Sequence, residues 1–329
     1  MSRPTPTVSV VIPAYNAADY VESAVRSALS QTLPPNEVVC VDDGSTDGTW
    51  ARLGALVGRF PERVRAVRQP NAGPSAARNR GLDEVTADYV QFLDADDVLD
   101  RDKLERQVAL AVAAPTPADL VVSGYRTYWA DPSDLTEVAV ADDVWTGLLT
   151  SSLGITSSNL CRTDAVRRVG GWREDLATSE DPDLWFRLLE SGATVALDPS
   201  PRATLWRRPD SQWNRDELRS LEGWVRLRGR VWRHMQDAGL DTPERRRSLE
   251  EAGFRFLGFL ADLVGRRRAL SILEGAGVPF FPHGRGRVYK VVFWSVGFRA
   301  AESLNALDPR GSDFALGRWA QALRRRTRA

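Results

Sequence analysis

The sequence predicts an α/β fold, a mostly parallel sheet with helices on both faces, followed by a helical C-terminal region. Three observations carry this expectation. Through Gly124, β-branched runs alternate with stretches whose apolar residues recur at helical spacing. Acidic clusters fall just where two of the β-branched runs end, the edge at which open α/β sheets bind their ligands. Beyond about Trp213 the alternation gives way to long patterns of helical period rich in Arg, Leu and Trp.

Each element has its own warrant. "TVSVVIP" (Thr7 to Pro13) is a β-branched run closed by proline, and "DYVESAVRSALSQ" sets Val21, Ala24, Val25, Ala28 and Leu29 on one helical face. "EVVCVDD" (Glu37 to Asp43) is the second strand. Thr46 and Asp47 are both suited to cap the helix after it, which is expected to bury Trp50, Leu53 and Val57. "VRAVRQ" is a short strand, "PSAARNRGLDEV" a helix with proline in its first turn, "DYVQFLD" a strand, "DKLERQVALAV" a helix and "ADLVVSG" a strand. Tyr125 to Ser158 reads as loop and irregular strand. "SSNLCR" reads as a strand and "TDAVRRVGGW" as a helix ending at a glycine pair. In "SEDPDLWFRLLESG" Ser179 suits the N-cap, Glu180 to Asp183 suit the positive end of the helix dipole, and Gly192 suits the C-terminal cap. "TVALD" and "ATLWRR" close the sheet. The helical remainder includes "LEGWVRLRGRVWRHMQ" and "ESLNALDPRG", interrupted by the Gly/Pro-rich "GAGVPFFPHGRGR".

Composition narrows the function. A chain of 329 residues with 43% hydrophobic content can bury a real core. Its 44 basic and 44 acidic residues balance, so nothing in the net charge calls for a nucleic-acid partner. Cys40 and Cys161 both lie in apolar strand-like stretches, which suits core thiols in a reducing compartment. No stretch approaches the ~20 apolar residues of a membrane span. The expected location is cytoplasmic, with peripheral contact at the inner face of the membrane left open.

The chemistry concentrates in three segments. "FLDADDVLD" ends an apolar run with Asp94, Asp96 and Asp97, and an Asp-x-Asp step at a strand end offers hard oxygen ligands to Mg²⁺ or Mn²⁺. A solvated turn with Asp97 capping the next helix would read the same way. "VDDGSTDGTW" sets Asp42 and Asp43 at another strand end, with Gly44 and Gly48 permitting close backbone approach. "PNAGPSAARNRG" brings Asn71 and Gly73 in a turn, then Arg78 and Arg80 on a helix near the same edge.

Together these segments resemble family 2 of the inverting glycosyltransferases, which have the GT-A fold, a Rossmann-like arrangement. The matching segments are "VVIPAYNAADYVESAVRSALSQT", "VDDGSTDGT", "NAGPSAARNRGL", "YVQFLDADD" and "SEDPDLWFRL", in the family's order, over roughly Val8 to Arg208. The resemblance implies a GT-A catalytic domain over residues 1–212 and a mainly helical region over 213–329. For that second region an acceptor, oligomer or membrane-surface role stays open. It implies a metal-dependent enzyme that moves a sugar from a nucleotide-diphosphate sugar donor to a carbohydrate or lipid-linked acceptor in polysaccharide, cell-surface glycan or glycoconjugate synthesis. Pro13, Ala14, Tyr15 and Asn16 would lie along the nucleotide with Asp42, Asp43, Asn71, Gly73 and Arg78. Asp94 and its neighbour Ala95 would meet the ribose, Asp96 the divalent cation, and Asp181 would be the catalytic base. Glu180 and Trp185 would face the acceptor or diphosphate. The family's usual histidine is missing from "ATLWRRPDSQW", so Arg207 or Arg208 would meet the diphosphate instead, and the third protein ligand of the cation stays open. A nucleotidyltransferase would show a Gly-rich basic loop where this chain has "PAYNAADY". A glycan- or sugar-nucleotide-binding module would not need Asp42, Asp94, Asp96 and Asp181 together.

Overall fold

The computed structural model describes residues 5–113, 115–129, 131–207 and 216–281. The chain divides into two compact units, Met1–Ser211 and Gln212–Ala329. In the first unit the order begins β1 (Val8–Ala14), α1 (Val21–Leu29), β2 (Glu37–Asp43), α2 (Thr49–Arg59), β3 (Val64–Gln69), α3 (Pro74–Glu84) and β4 (Tyr89–Phe92). It continues with β5 (Val98–Leu99), α4 (Lys103–Ala113), β6 (Leu120–Ser123), β7 (Tyr125–Trp129), β8 (Asp131–Val138) and α5 (Val144–Thr150). It closes with β9 (Leu160–Arg162), α6 (Thr163–Arg168), α7 (Glu180–Glu190), β10 (Val195–Asp198) and β11 (Ala203–Arg207).

Seven strands form one sheet in the order β10-β6-β9-β4-β1-β2-β3, parallel except for β9. Strand runs such as "VSVVIPA" are buried along most of their length because helices cover both faces. Val8, Val10 and Ile12 pack with Val21, Val25 and Ala28 of α1. Val11 points the other way, toward α3, where a Cβ on Gly81 would come within 2.2 Å of its Cγ1. The register sets Ala14 beside Asp42 and Asp42 beside Arg68, so β1, β2 and β3 end in line.

Three local expectations are corrected. Tyr125 to Ser158 is more regular than its composition suggests: β7 and β8 pair antiparallel, β11 joins β7 in parallel, and α5 follows. β8 begins "DPSD", poor in strand formers, and its pairing comes from its neighbour rather than its own propensity. Trp50 is 38% exposed because Thr49, Leu53 and Leu56 form the buried stripe of α2, one step off Trp50. The Arg68 guanidinium covers its ring at 5.6 Å. Ser179 precedes α7 but makes no side-chain cap, since it adopts φ +64.

In the second unit α8 (Glu217–Asp237), α9 (Pro243–Val264) and α10 (Arg266–Ala276) pack through Trp224, stacked on Phe256, with Trp232 also buried. Trp213, His283, Trp294, Trp319, "ESLNALDPRG" and the end of the Gly/Pro-rich segment, from Pro282, lie outside the described residues. No described helix is long and apolar enough to cross a membrane.

Gly44 has φ +72, and a Cβ there would meet Asn71 N at 2.7 Å, whereas Gly54 within α2 has open space around it. Gly44→Ala should therefore lose about 1–3 kcal/mol in urea unfolding. Gly54→Ala should gain about 0.5–1 kcal/mol. Equal effects at the two positions would contradict the turn geometry.

Candidate active site

Two loops at the ends of β1 and β2 lock together. Asn16 adopts φ +49, which asparagine tolerates. Its Oδ1 accepts from Thr46 N at 2.8 Å, and its own N–H donates to Ser45 Oγ at 3.0 Å. Ala17 N donates to Thr49 Oγ1, and Asp47 accepts from Ala18 N and from Thr49 N. Asp47, standing just ahead of the Gly48 cap, thus holds the first turn of α2. Tyr15, next to Asn16 in the chain, is half-exposed. Asp42 is fully buried, its Oδ2 2.8 Å from Arg68 Nε. Asp43 serves the backbone instead. Its oxygens accept from Gln69 Nε2, Ala72 N and Gly73 N at 2.8–2.9 Å, fixing the turn from Asn71 to Gly73 where α3 begins.

On the other side, Asp97 N donates to Asp94 O at 3.0 Å, a turn that sets Ala95 and Asp96 at its corner. Arg78 of α3 reaches this turn while 4% exposed. Its Nη2 lies 2.8 Å from Asp94 Oδ1, its Nη1 3.6 Å from Glu180 Oε1, and its guanidinium 4.5 Å over the Trp172 ring. Asp94, Asp181 and Glu180 hold its charge firmly on, against burial, and raise its pKa further. Nε and Nη1 of Arg78 have no hydrogen-bond partner. Glu180 is pushed up to about 7, chiefly by burial and then by the neighbouring Asp181 carboxylate. Burial likewise raises Asp181, against the opposing pull of Arg78. The lowering that a helix N-terminus would bring is outweighed. Trp185 is not at the surface: its ring is 1% exposed and stands edge-on to Trp172 at 6.1 Å. Arg207 ends β11, and its side chain and Arg208 lie outside the described residues.

The sequence reading missed the floor of this crevice, Thr156 to Asn159, four consecutive small polar residues that are all buried. Thr156 N donates to Asp181 Oδ2 at 3.0 Å. Ser157 Oγ donates to Asp97 Oδ2 at 2.5 Å and accepts from Asp94 N at 3.1 Å. One segment therefore touches both acidic clusters. The available signal was the run "TSSN" directly before an apolar strand, a polar stretch that must find partners if it is buried. Asn79 was also missed. It accepts from Trp172 N and donates to the Trp172 carbonyl and to Glu174, seating the tryptophan beneath Arg78.

The donor set at Asp96 suits a hard divalent cation completed by substrate phosphates, since one or two carboxylates suffice for such a site. Among the described residues no group of three His, Cys, Asp or Glu side chains gathers to make a closed cage.

The mostly parallel α/β sheet, with carboxylates and a buried arginine gathered beyond the strand ends, has the architecture of the GT-A fold. The sequence model of glycosyl transferase family 2 matches residues 9–143. A protein of Bacillus subtilis (strain 168), named as the teichuronic acid biosynthesis glycosyltransferase TuaG, is 33% identical over 206 residues. That match covers 59% of this chain and 77% of the relative. The chain belongs to glycosyl transferase family 2 and is a glycosyltransferase. Its fold is shared with S. aureus TarS 1-349, crystallised with UDP-GlcNAc, at TM-score 0.62, 18% identity and coverage of 82% and 79% of the two chains. It is shared also with the mannosyltransferase PcManGT of Pyrobaculum calidifontis, in complex with GDP-Man and Mn²⁺, at TM-score 0.53, 20% identity and coverage of 92% and 79%.

Glu180 offers a pH test. Its ordinary value of 4.5 is raised to about 7 in the fold, so its contribution to stability is complete below about 4.5 and is lost as pH rises through about 7. Glu180→Gln removes that loss. Relative to the parent, the variant should gain on the order of 2–3 kcal/mol between pH 4.5 and pH 8 in urea unfolding. A constant offset across that range would mean that Glu180 titrates normally.

Proposed function

We propose that this chain is a metal-dependent, inverting transferase. It moves a sugar from a nucleotide-diphosphate sugar to a hydroxyl of a carbohydrate or lipid-linked acceptor, in the building of a polysaccharide or surface glycan. The observation that carries the mechanism is Asp181: a partly buried carboxylate of raised proton affinity, held by Thr156 N–H across from Arg78 and Asp94. A base of that kind accepts the proton of an acceptor hydroxyl as the oxygen attacks the anomeric carbon. The new C–O bond forms as the bond to the diphosphate breaks, and the electron pair leaves with the diphosphate. A single displacement inverts the configuration at that carbon.

Asp42 and the exposed Tyr15 would take the nucleotide, with Asp94 at the ribose and Asp96 at the cation. When bound, a divalent cation there would offset charge on the departing diphosphate. Support for UDP- or GDP-linked donors comes from the ligands of TarS and PcManGT, and support for glycan assembly from TuaG.

The acceptor side is read from the second sheet, ordered β5-β11-β7-β8. Ala203 and Leu205 of β11 pack inward, so Trp206 faces out at 45% exposure, stacked on Tyr128 with ring centroids 4.6 Å apart. Leu99 pairs with Ala203 and Val98 with Thr204. Running on from that antiparallel pairing, β11 carries Trp206 toward the end of the sheet where the Asp94–Asp97 turn lies. An exposed aromatic ring there offers the apolar face of an acceptor sugar a surface to stack on.

Two variants test these roles, with a panel of UDP- and GDP-sugars as donors and short oligosaccharides as acceptors. Asp181→Asn should keep donor affinity and melting temperature while transfer falls by ~10²–10⁴. An unchanged transfer rate removes Asp181 from the chemistry. Trp206→Ala should raise acceptor KM about tenfold or more and leave nucleoside diphosphate affinity unchanged. A loss of nucleotide affinity instead would assign the ring to the base.

A further inference from the structure

Lys103 opens α4, and its side chain is completely buried. It makes no ion pair among the described residues. Its Nζ donates to the amide oxygens of Gln107, at 2.6 Å, and of Gln91. The acids whose fields reach it are Asp100 and Asp198, with Cys161, and burial draws its pKa down to about 7. An ammonium buried against neutral amides is a costly core group, and its hydrogen-bond geometry indicates what it does.

An ammonium has three donors and no acceptor, so both glutamines must turn their oxygens toward it and their NH₂ groups away. The NH₂ groups then have one set of partners. Gln91 Nε2 donates to the Ser157 carbonyl at 3.1 Å and to Phe92 O at 2.5 Å, and Gln107 Nε2 donates to the Ser158 carbonyl at 2.9 Å. Ser157 and Ser158 belong to the floor that presents Thr156 N to Asp181 and Ser157 Oγ to the turn from Asp94 to Asp97. A missing amine would free both amides to rotate, and a rotated amide would set an oxygen against a carbonyl.

We infer that Lys103 is a positioning residue for sugar transfer: through Gln91 and Gln107 it fixes the floor from Thr156 to Ser158, and through that floor the orientation of Asp181. The inference rests on the reading of Asp181 as the base. It gives a role to a lysine that touches neither donor nor acceptor, and it makes the two glutamines parts of one relay.

Lys103→Met keeps the length of the side chain and removes the charge. The variant should bind nucleoside diphosphate within about threefold of the parent while kcat falls at least tenfold, short of the ~10²–10⁴ expected for loss of the base itself. The acid limb of the kcat profile should move to higher pH, because the Thr156 N–H no longer favours ionised Asp181 among the charges that face it, Arg78, Glu180 and Asp94. In an Asp181→Asn background the same change should add almost nothing to the loss. If Lys103→Met does not fold, Gln91→Glu replaces it, since the new carboxylate would keep an oxygen toward Lys103 and lose the NH₂ that holds Ser157. The same drop in kcat and the same displaced acid limb are then expected. An unchanged kcat per folded molecule with an unmoved acid limb overturns the relay. So does an equal loss with and without Asp181, which marks a residue needed only for folding. If Asp181→Asn alone transfers normally, it is the base assignment that fails.

Discussion

A single guanidinium carries the charge balance of the crevice. Arg78 is buried, stacked over Trp172, and faces Asp94 from one loop and Glu180 and Asp181 from a helix that begins more than eighty residues later in the chain. Carboxylates gathered out of water repel one another, and each prefers to bind a proton unless a cation is near. Burial is what chiefly raises the proton affinity of Glu180 and Asp181, the neighbouring carboxylates add to it, and the one arginine offsets only part of that surplus. The same surplus is what a base requires, since a fully compensated carboxylate would be a poor proton acceptor. Arg78 therefore has to be strong enough to hold the acids together and too little to satisfy them.

Helix α3 delivers that arginine, and the constraints on α3 come from both of its ends. Asp43 gives its carboxylate to the Ala72 and Gly73 amides at the start of the helix. Gly81 lets the middle of the helix lie against Val11 of β1 at a distance that no side chain would permit. Asn79 then ties the same helix to Trp172, the ring under Arg78. Rigid backbone contacts at three points fix where the guanidinium sits, and precise placement of charge is worth more in a low-dielectric site than the same charge in water.

How much of this was legible in the sequence depends on which physical pattern a residue obeys. The central strands were plain because a sheet covered on both faces needs continuous apolar runs, and "VSVVIPA" and "EVVCVDD" are such runs. The strand ends were plain because Asp, Gly and Asn gather there. The second sheet was hidden, since β7 and β8 mix buried and exposed positions with residues that seldom choose a strand alone. The floor from Thr156 to Asn159 was hidden for a different reason. Ser157 to Asn159 read as the start of a strand, but the strand begins at Leu160, and only tertiary packing reveals a buried bend whose small polar residues are all withdrawn from water. For α7 the sequence set the acids in the right turn, but their depth of burial, which raises the proton affinity of Glu180 and Asp181, is not visible in one dimension.

An acidic strand end is therefore not a count of ligands. Of the aspartates that the sequence sets along this edge, Asp43 and Asp47 give their oxygens to backbone amides, and Asp97 takes the Ser157 hydroxyl. Buried amides left unpaired cost as much as lost hydrogen bonds, so loops this tight need carboxylates simply to exist. Their rigidity in turn fixes the turn that carries Asp94 and the floor that holds Asp181. The division follows from geometry. Asp43, whose neighbours are loop amides, stabilises the turn into α3, while Asp94 faces Arg78 across the crevice. Sequence motifs draw both kinds together because neither works without the other.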